Sequence, residues 1–184
     1  LTSELILEIT QGTEDPYRVA ILNFEGDQKV SNDIDKIIRN NLKRSGEFNL
    51  FANEDLLSLP TNETEVIFND FKILNIDYLV IGKIVKDGIS ISVVYDIFDI
   101  NKGKKIRTST VYGIPNKNRQ LGHYVSDGIY EEITGMKGIS STKILYVTEN
   151  KNFNLMVADA DGSNEQILLK LSLIHISEPT RRSY

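Results

Sequence analysis

The stretch DYLVIGKIVKDGISISVVYDIFDINKGKKIRTSTVYGI, residues 77–114, contains three consecutive strand-like segments. The pair Asp87-Gly88 is typical of a tight hairpin turn between the first two segments. One face of the second segment is formed by alternating apolar residues, namely Ile89, Ile91, Val93, Tyr95 and Ile97. Residues 101–103 indicate a second turn, and residues 104–113 return as a third strand. The stretch therefore predicts an antiparallel meander.

Upstream of the meander, a buried strand precedes an amphipathic helix. Residues 17–24, YRVAILNF, are almost continuously apolar, which is typical of an interior strand covered on both faces. Residues 30–48 predict a helix whose apolar stripe is Ile34, Ile37, Ile38 and Leu42. Residues that favour its two ends are Ser31 as the cap with Asp33 and Asp35 in the first turn, and Lys43, Arg44 and Gly46 at the finish.

Two further helices complete the first part of the chain. Residues 62–76 predict a helix with Ile67, Phe71 and Leu74 on one face. Residues 118–135 predict another, ended by Gly135, in which an apolar residue recurs every four positions: Leu121, Val125, Ile129 and Ile133. Helices alternating with buried strands indicate an α/β fold, a mixed sheet with packed helices.

The stretch TKILYVTENKNFNLMVADADGSNEQIL, residues 142–168, has the form of a single repeat. Its two alternating strands and polar turn are typical of a β-propeller blade, which buries its faces only beside other blades. We therefore expect a domain over residues 1–138 and a fragment of a first blade over residues 139–170. Residues 171–184 resemble a translated sequencing adapter, so we expect an artefact there and exclude them.

Composition narrows the function classes. The chain has 184 residues and a formal net charge of -5, which argues against a nucleic-acid binder. The absence of cysteine excludes disulfides, thiolate metal sites and cysteine nucleophiles. No apolar run is long enough for a transmembrane helix. The first residues have no basic region before a long apolar core, so they do not form a signal peptide as they stand.

Three polar motifs suggest chemistry, and for each we expect a structural role. His123, Ser126 and Asp127 would crowd one surface patch of a helix, whereas a catalytic triad draws its members from separate elements. The turn at residues 159–165 has half the carboxylates of a calcium loop and is expected to be bonded by its own aspartates. The basic stretch at residues 101–108 is expected to be a solvated hairpin that discourages edge pairing, rather than an RNA or lipid contact.

Several stretches, in their order and spacing, resemble the TolB family of the Tol-Pal system. They are ELILEITQG (4–12), LKRSGEFNLF (42–51), LNIDYLVIGKI (74–84), HYVSDGIYEEITGMKGISSTKILYV (123–147) and ADADGSNEQ (158–166). The resemblance implies an amino-terminal α/β domain shaped like anticodon-binding domains, followed by a six-bladed propeller. It implies a non-enzymatic periplasmic protein without cofactor or metal. That protein links the inner-membrane protein TolA to the lipoprotein Pal, for outer-membrane integrity and cell division.

The resemblance also assigns a partner-binding segment. In the family, the amino-terminal segment contacts TolA, and the propeller surface that docks Pal is largely missing from this chain. Because its residues are apolar on both faces, such a segment can add a strand to its own sheet or to that of a partner. The predicted TolA-like site is Glu4, Leu5, Ile6, Leu7, Glu8, Ile9, Thr10, Gln11 and Gly12. An ordinary edge strand of the chain's own domain is the alternative.

Two other function classes stay open at this point. Propellers precede catalytic domains in some hydrolases, so the chain could be the amino-terminal part of such an enzyme. The anticodon-binding-like shape could also serve an RNA-binding module, although fold alone does not establish function.

Overall fold

The structure is a computed structural model that describes residues 15–149 and 153–171. The chain divides into two compact units, Leu1–Gly138 and Ile139–Tyr184. In the first unit the elements are β1 Tyr17–Ile21, α1 Gln28–Ser45, β2 Phe48–Phe51, α2 Phe68–Ile73, β3 Tyr78–Asp87, β4 Ser90–Asp99, β5 Lys104–Gly113 and α3 Asn118–Thr134.

The first unit is built on one mixed sheet in the order β2-β1-β3-β4-β5. Strand β1 is parallel to both β2 and β3, and the β3–β4–β5 meander is antiparallel. Parallel neighbours require crossover connections, which α1 and α2 provide. The predicted fold class, a mixed sheet with packed helices, is confirmed.

Two apolar cores lie on opposite faces of this sheet. Helices α1 and α3 pack on one face, where Ile34 of α1 and the sheet residues Val80 and Ile97 are all fully buried. On the other face α2 places Phe71 against Phe98 and neighbouring side chains. Successive residues of β1 and β3 therefore enter different cores, which explains why residues 17–24 are nearly continuously apolar.

Helix α1 differs from its prediction at its start. It begins at Gln28, and the carboxylate of Asp27 caps it by accepting a hydrogen bond from the Val30 amide. Ser31, expected to be the cap, is buried inside the helix, and Asp33 and Asp35 lie beyond the first turn. The expected finish is confirmed: Lys43 and Arg44 lie in the last turn, and Gly46 follows with a φ of 77°.

The region between α1 and β3 is the least predictable. Strand β2 has only four residues and carries no sequence signal that predicts it. The expected helix over residues 62–76 is wrong in extent, because a 3₁₀ turn at Glu63–Glu65 precedes a short α2 at Phe68–Ile73. The Asn62 side chain accepts from the Thr64 amide and fixes that turn, while Ile67 is exposed and lies before α2.

The meander and the last helix match their predictions closely. Strand β5 and the turn at residues 101–103 fall where expected, and Gly103 has a φ of 63°. Ile89 is the exception in β4, since it lies in the hairpin turn and is 92 % exposed, whereas Ile91, Val93, Tyr95 and Ile97 are buried. In α3 the four apolar residues predicted to face the core are all buried, and Gly135 ends the helix.

The second unit contains a three-stranded antiparallel sheet in the order β6-β7-β8. Its strands are β6 Lys143–Glu149, β7 Phe153–Asp159 and β8 Gln166–Leu171. This small sheet fits a partial propeller blade. It leaves several large apolar side chains exposed, among them Leu145, Val147 and Leu168.

Candidate functional site

The predicted TolA-like segment, residues 4–12, lies outside the described residues. A cavity lies where β1 and β3 start and β4 ends, and Asp15 is the first residue of its lining. This cavity has a volume of about 280 Å³ and is the candidate site because Asp15, in its lining, follows the predicted binding segment by three residues in the sequence. Its lining residues are Asp15, Pro16, Tyr17, Arg18, Asp77, Tyr78, Asp99, Asn101 and Lys102.

Arg18 and Asp77 form the central ion pair of this cavity. The Arg18 guanidinium donates from Nε to Oδ2 of Asp77 at 3.1 Å and from Nη2 to Oδ1 at 3.0 Å. The Arg18 amide also donates to Oδ2, at 3.0 Å, and the Asn101 side chain reaches Oδ1 at 3.3 Å. This fork fixes the start of β1 against the start of β3 and the β4–β5 turn.

The hydrogen bonds decide the ionisation state of Asp77. Burial alone raises the pKa of this carboxyl, but the side-chain and backbone hydrogen bonds from Arg18 outweigh it. Its pKa therefore lies below the ordinary value, and the group is a carboxylate at neutral pH. A carboxylate held in this way is a poor general base or proton donor.

A second ion pair closes the opposite side of the cavity. Lys102 Nζ lies 2.8 Å from Oδ2 of Asp99, and the Lys102 amide donates to Oδ1 at 2.8 Å. Burial raises the pKa of Asp99, but the hydrogen bonds from Lys102 bring it below the ordinary value. Both acidic groups of the pairs are thus committed to cations. The two ion pairs are therefore better suited to fixing the start of β1 in place than to acid–base chemistry.

The interior of the α1–α3 interface holds His123 and Ser126. The expectation that they crowd a surface patch is wrong, because both are buried. The Asn41 side-chain amide donates to Ser126 Oγ at 2.8 Å and lies 2.9 Å from His123 Nδ1. The Ser126 hydroxyl lies 2.9 Å from the carbonyl oxygens of both Gly122 and His123. Its proton and one lone pair are therefore engaged in packing α3 against α1, which is a structural role.

The acidic turn between β7 and β8 is bonded by its own side chains, as predicted. Asp161 Oδ1 accepts from the Ser163 amide at 3.0 Å, an Asx-type turn. Asp159 accepts from Asn164 Nδ2 at 2.6 Å and also pairs with Lys143. These contacts account for the turn within the second unit.

The basic stretch lies at the beginning of β5, an edge strand of the five-stranded sheet. Three of its cations face carboxylates of the same unit. The pairs are Lys102 with Asp99 at 2.8 Å, Lys105 with Glu63 at 2.6 Å and Arg107 with Glu132 at 3.8 Å. Cations neutralised in this way favour the solvated-hairpin interpretation over phosphate binding to RNA.

Sequence reasoning missed the residues that build the cavity. Arg18 and Asp77 are 59 positions apart, and only the pairing of β1 with β3 brings them together. The one available signal was Arg18 itself, the charged residue inside the apolar run of residues 17–24. A charge at that position needs a partner at a strand end.

Comparison with known proteins gives a consistent result. The family model of the TolB amino-terminal domain matches residues 5–106. The Tol-Pal system protein TolB of Alcanivorax borkumensis is 36% identical over 173 residues, covering 91% of this chain and 40% of its own length. That of Pseudomonas aeruginosa is 33% identical over 172 residues, covering 89% and 40%.

A solved structure agrees with these sequence matches. The crystal structure of TolB from Acinetobacter baumannii superimposes with a TM-score of 0.75 at 29% identity, covering 89% of this chain and 41% of that one. The chain therefore spans about two fifths of the length of the relatives that it matches. Among the described helices, none has both the length and the apolar character that a bilayer crossing requires.

Proposed function

Because this chain belongs to the TolB family of the Tol-Pal system, we propose that it acts as a non-enzymatic, periplasmic binding protein. In this proposal it couples a TolA-like protein to a Pal-like lipoprotein and supports outer-membrane integrity and cell division. The observation that carries the proposal is the family match over residues 5–106, which includes most of the predicted binding segment.

The TolA-like contact is proposed for residues 4–12. Because apolar side chains occur at both alternating positions, the segment suits the addition of a strand to the sheet of a partner. Support comes from the cavity at the chain entry, where the Arg18–Asp77 fork anchors the first residues of β1. An anchor shortly after the segment would transmit a pull on it to an interior strand of the sheet, since β1 lies between β2 and β3.

The absence of catalysis is part of the proposal. Its support is that Asp77 and Asp99 of the entry cavity are paired with cations and that the hydroxyl of Ser126 is engaged with backbone carbonyls. For the domain organisation, we propose a TolB-like domain over residues 1–138, a blade fragment over 139–170 and a sequencing artefact over 171–184. Docking of a Pal-like protein is proposed for the propeller, of which residues 139–170 would form the start.

The TolA-like role is tested by capture on an immobilised TolA carboxyl-terminal domain. The intact chain is compared with one lacking residues 1–12 and with a control lacking residues 172–184, a deletion of similar length at the other end. We expect the intact chain and the control to be captured and the amino-terminal deletion to lose capture. Equal capture of all three would remove the segment from the proposal.

Two double variants test whether the apolar or the acidic side chains of residues 4–12 make the contact. Leu5→Lys with Leu7→Lys places charges on one apolar face, whereas Glu4→Gln with Glu8→Gln keeps that face intact. We expect the first variant to lose capture and the second to retain most of it, because strand addition buries the apolar face. Loss of capture in the second alone would assign the contact to charge instead.

A further inference from the structure

An exposed apolar surface lies at the end of the first unit where the β3–β4 hairpin turns. It consists of Val85, Ile89, Tyr112 and Ile114, here called the apolar tip. Ile89 is 92 % exposed, Tyr112 77 % and Ile114 60 %. Large apolar side chains this exposed, when grouped, mark surfaces that contact a partner or a membrane.

The strand register groups these residues. Val85 of β3 and Tyr112 of β5 are both paired with Ser92 of β4, so they form one row across three strands. The row spans about 10 Å, given the usual spacing of neighbouring strands. It lies on the face opposite α1 and α3, because Ile91 and Val93 on either side of Ser92 enter the core beneath those helices. Ile89 lies in the hairpin turn and Ile114 directly follows β5.

The hairpin end also projects from the sheet. The continuous pairing of β3 with β1 ends at Val80, and a single bridge joins Lys83 to Glu25. Beyond it, β3 continues with β4 to the turn at Gly88 and Ile89. A projecting turn can reach a flat surface without obstruction from the rest of the domain.

A polar cleft lies at the same end of the unit, on the helix side of the sheet. It has a volume of about 400 Å³ and lies between α1 and the connection from β5 to α3. The connection from β5 to α3 contributes to both the apolar tip and the cleft. Ile114 belongs to the tip, and Asn116, two residues later, lines the cleft. Hydrogen-bond donors predominate in the lining: Lys36, Asn40, Asn116, Asn118 and Arg119, with Asp33 as the acidic member.

The charge at this end differs from that of the whole chain. The three connecting segments, residues 23–29, 85–92 and 111–119, carry four cations and three carboxylates, whereas the chain as a whole has a net charge of -5. One of these carboxylates, Asp27, is paired with Lys86 at 2.8 Å. The end that exposes the apolar residues is therefore slightly positive in an acidic protein.

From this combination we propose that the apolar tip inserts into the interface of an anionic phospholipid bilayer, with the polar cleft facing the headgroup phosphates. Isoleucine side chains at projecting turns enter the acyl boundary, and a tyrosine at the rim is suited to the headgroup level. Amide and cationic donors at the same end suit phosphate oxygens. The slight positive charge of this end favours an anionic membrane surface over an apolar protein partner. The inference is independent of TolA-like or Pal-like binding.

The first test uses the absence of tryptophan from the chain. A Tyr112→Trp variant of the full chain then carries a single reporter at the tip, and Leu57→Trp carries one at an exposed apolar position elsewhere in the same unit. We expect the emission of the first variant to shift to shorter wavelength with vesicles of phosphatidylcholine and phosphatidylglycerol, and to stay unchanged with inorganic phosphate alone. No shift in the Tyr112→Trp variant, or an equal shift in the Leu57→Trp variant, would overturn the proposal.

The second test measures binding by co-sedimentation with the same vesicles. An Ile89→Ser, Ile114→Ser double variant should bind about tenfold more weakly than the unmodified chain, because two inserted aliphatic side chains are lost. The matched control, Leu57→Ser with Leu59→Ser, removes two exposed aliphatic side chains elsewhere and should bind normally. Vesicles of phosphatidylcholine alone should bind less of each protein. Equal losses in both variants, or no preference for the anionic lipid, contradict the proposal.

Discussion

The two units of this chain use the same apolar periodicity with opposite results. In the first unit, helices cover both faces of the middle of the sheet, and residues such as Val80 and Ile97 are fully buried. In the second unit, β6 carries apolar residues on both faces, at positions 144–147, yet Leu145 is 64 % and Val147 62 % exposed. Periodicity therefore specifies which residues share a face, whereas burial requires a second layer to cover that face.

The largest expected difference between the two units comes from truncating one apolar side chain in each. Phe71→Ala removes a fully buried ring from the core under α2 and should lower the free energy of unfolding by about 3–5 kcal/mol. Leu145→Ala, on the exposed face of β6, should change it by less than about 0.5 kcal/mol. Urea denaturation followed by circular dichroism measures both, and similar losses would show that Leu145 is covered in solution.

The two units can also be compared through one buried or half-buried carboxylate in each, Asp77 and Asp159, with effects of intermediate size. Asp77→Ala removes the acceptor of the Arg18 fork and should lower stability by about 2 kcal/mol at pH 7. Because the pKa of Asp77 lies below its ordinary value, its contribution is present above that value and disappears as the pH falls through the lowered pKa. The variant should therefore lose less stability than the unmodified chain on acidification, as monitored by urea denaturation at several pH values.

The counterpart in the second unit is Asp159→Ala. Asp159 is buried and accepts from Asn164, as Asp77 accepts from Arg18. We expect this change to speed the exchange of β6 and β7 amides about tenfold, measured by hydrogen exchange and mass spectrometry. Unchanged exchange in these strands would mean that the turn does not hold the small sheet together.

The smallest expected effect concerns a carboxyl group inside the first unit. Asp35 accepts from the Phe24 amide at 3.1 Å and is 5 % exposed, and burial raises its pKa to about 6. A raised pKa means that its contribution to stability is present below its ordinary value of 3.8 and is lost as the pH rises through about 6. Asp35→Asn should therefore stabilise the chain by about 1 kcal/mol at pH 7.5.

The same variant should show little gain at pH 4, where Asp35 is already protonated. Asp33→Asn, an exposed substitution two residues earlier in α1, is the control and should be neutral throughout. Thermal unfolding at pH 4, 6 and 7.5 measures the effect. A loss of stability in the Asp35 variant at every pH would mean that its hydrogen bonds matter more than the burial of its charge.

Elements with strong local signals could be predicted from the sequence. The four apolar residues of α3 recur at helical spacing, and Asp87-Gly88 marks the hairpin, so their places required no tertiary information. Strand β2 was missed because four residues carry too little pattern. Ser31 was misjudged because a serine favours a helix cap locally, whereas here it donates to the Phe24 carbonyl oxygen and contacts Asp35 inside the fold.

The candidate site was harder to predict than the fold. Its cavity depends on the pairing of β1 with β3, which brings Arg18 beside Asp77, and no local pattern encodes a contact over 59 positions. His123 and Ser126 were placed on one face of α3 correctly, but their burial depends on Asn41 of another helix. Contacts between elements set the chemistry, and a single sequence shows only the elements.

The interior position of β1 in the sheet has a consequence for synthesis. A chain that emerges amino terminus first presents β1 before either of its hydrogen-bonding neighbours, β2 and β3, has appeared. Its apolar residues must then wait until Val80 is available, because parallel pairing joins distant parts of the chain. During that interval the apolar residues of β1 stay exposed, which favours aggregation of the nascent chain.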